Sequence, residues 1–265
     1  MLWDIVVCIK QVPHPDYLGK IALDPVRGTI TREGIPGVIN PLDRNALEAG
    51  LQIRHKFLGR LTVLTMGPPQ ARRALEDALA MGADSAVHLC DRAFAEADSL
   101  STAQALAYAI HQIGHFDLVL CGDTTVDSGT GQVAVQLAEI LNLPAVTSVE
   151  EIVIGEGFLQ VKRAWEKGYA RLKVALPAVI AVNEKINQPR LASIMGIMAT
   201  SRKEIKTWCP ADVRAEAGFI GASGSPTRFY EISQLQAGRH GEILQGVPEE
   251  TVAIAVEKLR KLELL

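Results

Sequence analysis

Along the first 150 residues, short continuous apolar runs alternate with stretches whose apolar positions recur at helical spacing. The runs "DIVVCIK" (4–10), "RLTVLTMG" (60–67), "SAVHLC" (85–90) and "FDLVLCG" (116–122) lack the apolar–polar alternation of a half-exposed strand. They read as strands covered on both faces, the signature of a parallel sheet between helical layers. Between them, "LDRNALEAGLQIRHKF" (42–57) predicts a helix that sets Leu47, Leu51 and Leu58 near one face. "PPQARRALEDALAMGAD" (68–84) opens with prolines that a first turn tolerates and ends on Gly82, with Ala71, Leu75, Ala78 and Leu79 spaced to pack on a sheet. "DSLSTAQALAYAIHQIG" (98–114) predicts a helix capped by Asp98, with Ala103, Leu106, Ala107 and Ile110 inward. A fourth helix buries Val133, Leu137, Ile140 and Leu141 before "PAVTSV" (144–149) returns as a strand. This alternation predicts an α/β fold with a mostly parallel sheet, right-handed crossovers and helices on both faces.

Elsewhere the pattern changes. Residues 11–42 are irregular and hold five prolines, a length of loop that is usually functional; within it "KIALD" and "TITRE" predict a small antiparallel hairpin. From 150 to 183 the spacing predicts antiparallel strands turning at "GEG" and "EKG", then a buried strand. Regularity fades after 190, and "PEETVAIAVEKLRKLELL" (248–265) closes as an amphipathic helix with Val252, Ala255, Val256 and Leu259 on one stripe. The expectation is a core domain over 1–190 and an extended arm over 191–265, ending in a helix that needs a surface to lie against.

Composition narrows the function. Hydrophobic residues at 48% allow a large core, while a net charge of −3 gives no electrostatic reason for a nucleic-acid or membrane-surface partner. No apolar run reaches the roughly 18–20 residues that span a bilayer. The opening "MLWDIVVCIKQVP" reads as a buried strand and not as a signal peptide, so the expected compartment is the cytoplasm. Cys8, Cys90, Cys121 and Cys209 are too scattered for a metal motif and read as reduced structural thiols, and the six histidines show no ligand spacing; no metal site is expected.

The candidate chemistry lies after the fourth strand, in "CGDTTVDSGTGQVAVQLAEILNLP" (121–144). In an open α/β sheet, ligands bind beyond the carboxyl ends of the strands, where loops enter helices. A helix N-terminus there offers unsatisfied N–H groups and partial positive charge to an anion. Gly129 and Gly131 allow close backbone approach, Ser128 and Thr130 add donors, Asp127 is placed to cap the helix and Gln132 to reach a phosphate or ribose oxygen. The plainer alternative is a helix start capped by Asp127 or Ser128 and nothing more. Other strand ends converge on the same edge: Cys8 and Lys10 on the first, Met66 and Gly67 on the second, and Asn40 at a helix start. Together they describe an adenine-nucleotide pocket. The loop has neither the P-loop lysine nor GxGxxG, which argues for binding without phosphoryl transfer.

Read end to end, "VCIKQVP", "INPLDRNALEAGL", "VLTMGPPQARRALEDALAMGAD", "DRAFAEADSLSTA", the loop itself, "VKRAWEKG", "LPAVIAV", "NQPRLASIMGIMA" and "GASGSPT" are collinear with one family. The chain resembles the β (small) subunit of electron transfer flavoproteins along most of its length. The resemblance implies a Rossmann-like domain in a heterodimer with a larger α subunit that carries most of a redox FAD. It implies an AMP in the β pocket, or a second FAD as in electron-bifurcating members, with residues 122–133 as the phosphate loop. Asp123, Val126, Asp127, Ser128, Gly129, Thr130, Gly131, Gln132 and Val133 are then the cofactor residues, and Tyr17 the aromatic that approaches the α-bound flavin. Leu191, Ala192, Ser193, Ile194 and Met195 match the loop that docks partner dehydrogenases, acyl-CoA-type or other flavin enzymes; a quinone-linked or ferredoxin-type protein is the implied acceptor. "DSGTGQVAV" stands where bifurcating members read DGDTAQVGP, whereas "TMGPP", "ADSLST" and "GSPT" look like that branch, so AMP and FAD both stay open. Lys167 and Arg171 alter the charge pattern expected after Glu166. An ATP-pyrophosphatase or ligase of similar topology would want a Ser/Gly-rich loop after the first strand, and a nucleotide-sensing stress protein would lack the arm. An electron carrier needs no acid, base or nucleophile of its own in this subunit, and the sequence offers no such constellation.

Overall fold

The computed structural model describes residues 2–20, 22–24, 29–31, 34–228 and 241–264. In chain order the elements are β1 (Trp3–Cys8), β2 (Gln11–Pro13), β3 (Ala22–Asp24), β4 (Thr29–Thr31), β5 (Gly37–Ile39), α1 (Pro41–Phe57), β6 (Gly59–Met66), α2 (Arg72–Met81), β7 (Ser85–Leu89), α3 (Ser99–Ile113) and β8 (Leu118–Gly122). There follow α4 (Val133–Leu141), β9 (Ala145–Ile154), β10 (Phe158–Trp165), β11 (Gly168–Ala175), β12 (Ala178–Val182), α5 (Ile194–Thr200), β13 (Ile205–Trp208), α6 (Gly221–Gly224) and α7 (Pro248–Lys261).

Nine strands form one sheet in the order β11-β10-β9-β12-β8-β1-β6-β7-β13. All neighbours are parallel except β10, which runs against β9 and β11. Successive strand side chains point to opposite faces, so each strand serves two cores. In β1, Ile5 and Val7 join one apolar cluster with Leu47 and Leu51 of α1 and Leu75 and Leu79 of α2. Val6 and Cys8 join the other, with Leu106 and Ile110 of α3 and Leu137 of α4. This is why the strand sequences show no polar alternation. The β3–β4 hairpin pairs Ala22 with Thr31 and Asp24 with Thr29, as its sequence predicts; Ile21, Arg32 and Glu33, which the pattern also assigned to it, lie outside the described residues.

Two expectations differ from the structure. Leu58 lies beyond the end of α1 in a left-handed conformation (φ 60°) and is exposed, because the chain must turn there to enter β6. The compact unit also runs past 190: β13 pairs with β7 at the sheet edge and α5 packs on α2, so the division falls between Met1–Tyr230 and Glu231–Leu265. In the second unit α7 has no buried residue.

Candidate functional site

β1 leads outward through β6 to β7 on one side, while β8 begins the order on the other side. Their carboxyl ends are therefore the switch point of the sheet, the position at which such folds open a crevice. Lys10 follows β1, and the loop 122–132 follows β8.

Asn40, fully buried just before α1, fixes that loop through its amide: Nδ2 donates to Thr124 O (2.9 Å) and Oδ1 accepts from Val126 N–H (3.2 Å). Asp123 turns away from the mouth and accepts from Ser148 N–H (2.8 Å) and Oγ (2.7 Å), anchoring the loop to β9. Lys10 Nζ crosses from β1 to Asp127 Oδ1 (2.9 Å) and Ser128 Oγ (3.3 Å). Gly129 and Gly131 both take φ of +62°, a conformation that only glycine adopts freely.

Those two left-handed residues correct the expectation that Asp127 or Ser128 caps the helix. They insert an open turn, so α4 begins only at Val133 with Gln132 at its N-cap, and Asp127 pairs with Lys10 instead. Gln132 makes no side-chain capping bond; its Oε1 accepts from Ser99 Oγ (3.0 Å) at the first turn of α3. Two helix N-termini thus stand side by side beneath the loop. Thr130 is exposed near the mouth, and Val126 is 42% exposed.

The remaining sequence-predicted residues play smaller geometric parts. Cys8 and Cys121 are buried neighbours, and the hydrogen bond between their thiols, with burial, pushes the Cys121 thiol well above its ordinary range. Met66 packs on the α3-side core, and Gly67 N–H bonds Leu89 O (3.0 Å). His88 shares a hydrogen bond with Gly67 O (3.0 Å), and burial lowers its pKa, keeping it neutral. The Tyr17 ring stands edge-on to His14, with centroids 5.7 Å apart. Ser193 Oγ caps α5 through Gly196 N–H (3.0 Å), and Ala192 packs against the core. That leaves Leu191 (80%), Ile194 (78%) and Met195 (76%) standing in solvent.

The residue-by-residue reading missed three groups. Asp98 caps α3 as expected (Ser101 N–H to Oδ1, 2.9 Å) but also accepts from Thr227 N–H (3.1 Å) and Oγ1 (2.7 Å), bringing a distant segment to the site. Burial opposes ionisation of Asp98, yet the bonds from Ser101 and Thr227 hold its pKa below the ordinary value. Asp43 is buried under the loop, and burial raises its pKa to about 7 against the hydrogen bonds it accepts from Lys10, Asn40 and Gly122. Glu48 holds Arg190, and with it the start of the exposed segment. Asp98 was legible in the sequence only as a helix cap, and Glu48 only as an acid between small residues in "NALEAG"; Asp43 carried no such signal. At the opposite sheet edge lies a hollow of about 440 Å³ lined by Asp4, Arg60, Asp84 and Lys206 among others. Asp4, His115 and Asp117 cluster there within 4.8 Å, with Asp117 Oδ2 accepting from Asp4 N–H (2.8 Å). That edge carries the amino ends of the strands, so the switch-point loop is the stronger candidate.

The fold defines an open, doubly wound α/β protein with a glycine-bearing loop at its switch point. Residues 27–213 match the model of the family described as electron transfer flavoprotein domain. The chain is 40% identical over 258 residues to "Electron transfer flavoprotein subunit beta" of Clostridium acetobutylicum, covering 97% of this chain and 98% of that one. It is 44% identical over 257 residues to the subunit of the same name from Thermoanaerobacterium thermosaccharolyticum, covering 97% of each. It is 40% identical over 259 residues to "Caffeyl-CoA reductase-Etf complex subunit CarD" of Acetobacterium woodii, covering 97% and 98%. The chain belongs to the electron transfer flavoprotein family, among its β subunits.

Proposed function

We propose that the chain is the small subunit of a heterodimeric electron transfer flavoprotein, carrying electrons from dehydrogenases to a downstream acceptor through FAD held with a larger α subunit. Its own pocket takes the adenosine 5′-phosphate part of a nucleotide, either AMP or a second FAD. The observation that carries this reading is the loop itself: two glycines at φ +62°, the Lys10 cation and the uncapped start of α4 at the switch point of the sheet. A side chain built on Gly129 would have only Thr125 O within 4 Å (3.8 Å), so the cradle is open to an incoming phosphate. The donors are backbone N–H groups and hydroxyls, the set that binds phosphate without hydrolysing it. Asp127 does not repel the anion outright, because Lys10 neutralises it.

When bound, the flavin supplies the redox chemistry; the protein orients it, shields it from water and sets its potential through nearby dipoles and charge. The exposed Leu191, Ile194 and Met195 form an apolar surface fit to dock a dehydrogenase. Acid release of nucleotide from the purified heterodimer, followed by chromatography, tests the pocket. One FAD with one AMP gives the simple carrier, and two FAD with no AMP gives the architecture of a second flavin site. A well-folded complex with neither AMP nor a second FAD would sink the assignment.

A further inference from the structure

Asp43 is used by none of the roles above, yet it lies where three elements of the site meet. Its carboxylate accepts from Lys10 N–H (2.7 Å) after β1 and from Gly122 N–H (3.1 Å) at the end of β8. The junction is tight: a Cβ on Gly122 would stand 2.4 Å from Asp43 Oδ1 and 2.7 Å from Asp43 N. Three residues earlier, Asn40 takes Lys10 O through its own N–H (2.9 Å) and holds the loop at Thr124 and Val126. The stretch 40–43 therefore grips both walls of the mouth, the β1 wall bearing Lys10 and the β8 wall bearing Asp127 and Ser128.

We propose that Asp43 is the positioning residue of the nucleotide site: by holding the Lys10 and Gly122 N–H groups it sets the span between Lys10 Nζ and the Asp127–Ser128 turn, and so the affinity for an adenosine 5′-phosphate. This rests on the reading of that loop as a phosphate site. Lys10 N–H bonds Oδ2 and Gly122 N–H bonds Oδ1, and the Asn40 side chain also donates to this carboxylate, so both oxygens are in use when it is ionised; protonation turns one oxygen into a donor and slackens one wall. The charged and titratable groups facing Asp43 are Lys10 on the β1 side and Cys121 on the β8 side, with Cys8 beyond it. Burial places the titration of Asp43 at about 7, so the clamp changes state in an accessible range.

The test measures AMP affinity by calorimetry at about pH 6 and pH 8. The protein is the full chain assembled with its partner subunit and freed of bound nucleotide. Asp43→Asn, which presents an amide where a carboxylate is needed, weakens AMP about tenfold at the higher pH, the worth of one charge-assisted hydrogen bond. The variant also loses most of the pH dependence that the unaltered protein shows beyond the titration of AMP itself. Weakening with an unchanged pH profile would mark Asp43 as merely structural and overturn the proposal, as would an unchanged affinity. Should the variant not fold, carbon-13 NMR of the aspartate carboxyl in the unaltered protein takes its place. AMP must move the Asp43 titration midpoint, and an unmoved midpoint overturns the proposal. Failure of the unaltered protein to bind AMP or FAD at any pH would instead strike the phosphate-site reading, and the two failures are distinct.

Discussion

Asp43 is a buried carboxylate that carries a cost to the fold. Its pKa of 3.8 in an ordinary setting rises to about 7 when buried, so the folded chain holds a proton there that the unfolded chain has lost. Stability from this group is fully present below about pH 4 and drains away as pH rises through 7, by about 4 kcal/mol at the upper limit. Denaturant midpoints measured from about pH 5 to pH 8 should fall more steeply for the unaltered protein than for Asp43→Asn. Parallel curves would show that Asp43 is ionised throughout. Gly129 poses the opposite test, since it is exposed and its φ of +62° strains any side chain. Gly129→Asp should abolish nucleotide binding through strain and charge while leaving the far-ultraviolet circular dichroism unchanged. Glu48, nearly buried, takes both arms of Arg190 (2.8 and 3.0 Å) and the Arg190 N–H (3.2 Å). Arg190→Leu should cost about 1–3 kcal/mol in denaturant unfolding, because it strands a buried carboxylate, and removing both partners should cost less than the sum.

Among the elements, α1 does the most to shape the site, and its extent was legible while its polar contacts were not. Its apolar face was plain in the sequence, but nothing in the pattern marked Asp43, Asn45 and Glu48 as buried, and they are. The reason is tertiary: small residues Ala46, Ala49 and Gly50 let the helix press onto the sheet so closely that a Cβ on Gly50 would meet Leu61 Cδ1 at 2.8 Å. Its flanking polar groups then meet other loops, as when Asn45 Nδ2 reaches Asn187 O (2.9 Å). Strands covered on both faces announced themselves through continuous apolar runs. β13 did not, because it lies at an edge with Lys206 and Thr207 exposed. The loop proposed to hold phosphate was legible as glycines before a helix; its true helix start was not, since two left-handed residues can be read as a cap or as a cradle. α5 carries the clearest test at this scale. Gly196 lies against Ala80 O, where a Cβ would come within 2.1 Å, so the helix is seated on α2 with its apolar side chains outward. Met195→Asp should leave thermal unfolding within about 0.5 kcal/mol of the unaltered protein, as exposed substitutions do. It should raise the apparent KM for a partner dehydrogenase; an unchanged KM would move docking elsewhere.

For the whole molecule, the division after Tyr230 separates a unit with two buried clusters from one with none among its described residues. The helix α7 keeps Val252 (60%) and Leu259 (38%) of its apolar stripe exposed, with Ile254 (43%) exposed on the opposite face. Such a stripe in a helix of 14 residues is a poor stabiliser by itself, because isolated helices of that length are marginal in water. Its natural use is to bury against another surface, which in the proposed heterodimer is the α subunit. The proposed nucleotide loop, by contrast, is held by residues in or beside β1, α1, β8, β9, α3 and α4, with Thr227 the most distant contributor in sequence. A chain ending after Tyr230 should therefore keep its sheet and its AMP affinity within about twofold, a difference of about 0.4 kcal/mol. The same chain should fail to elute with the α subunit in size-exclusion chromatography, where the full chain does. Retained heterodimer would show that the arm is dispensable for assembly. Lost AMP binding in a folded truncated chain would show that the site draws on residues beyond 230.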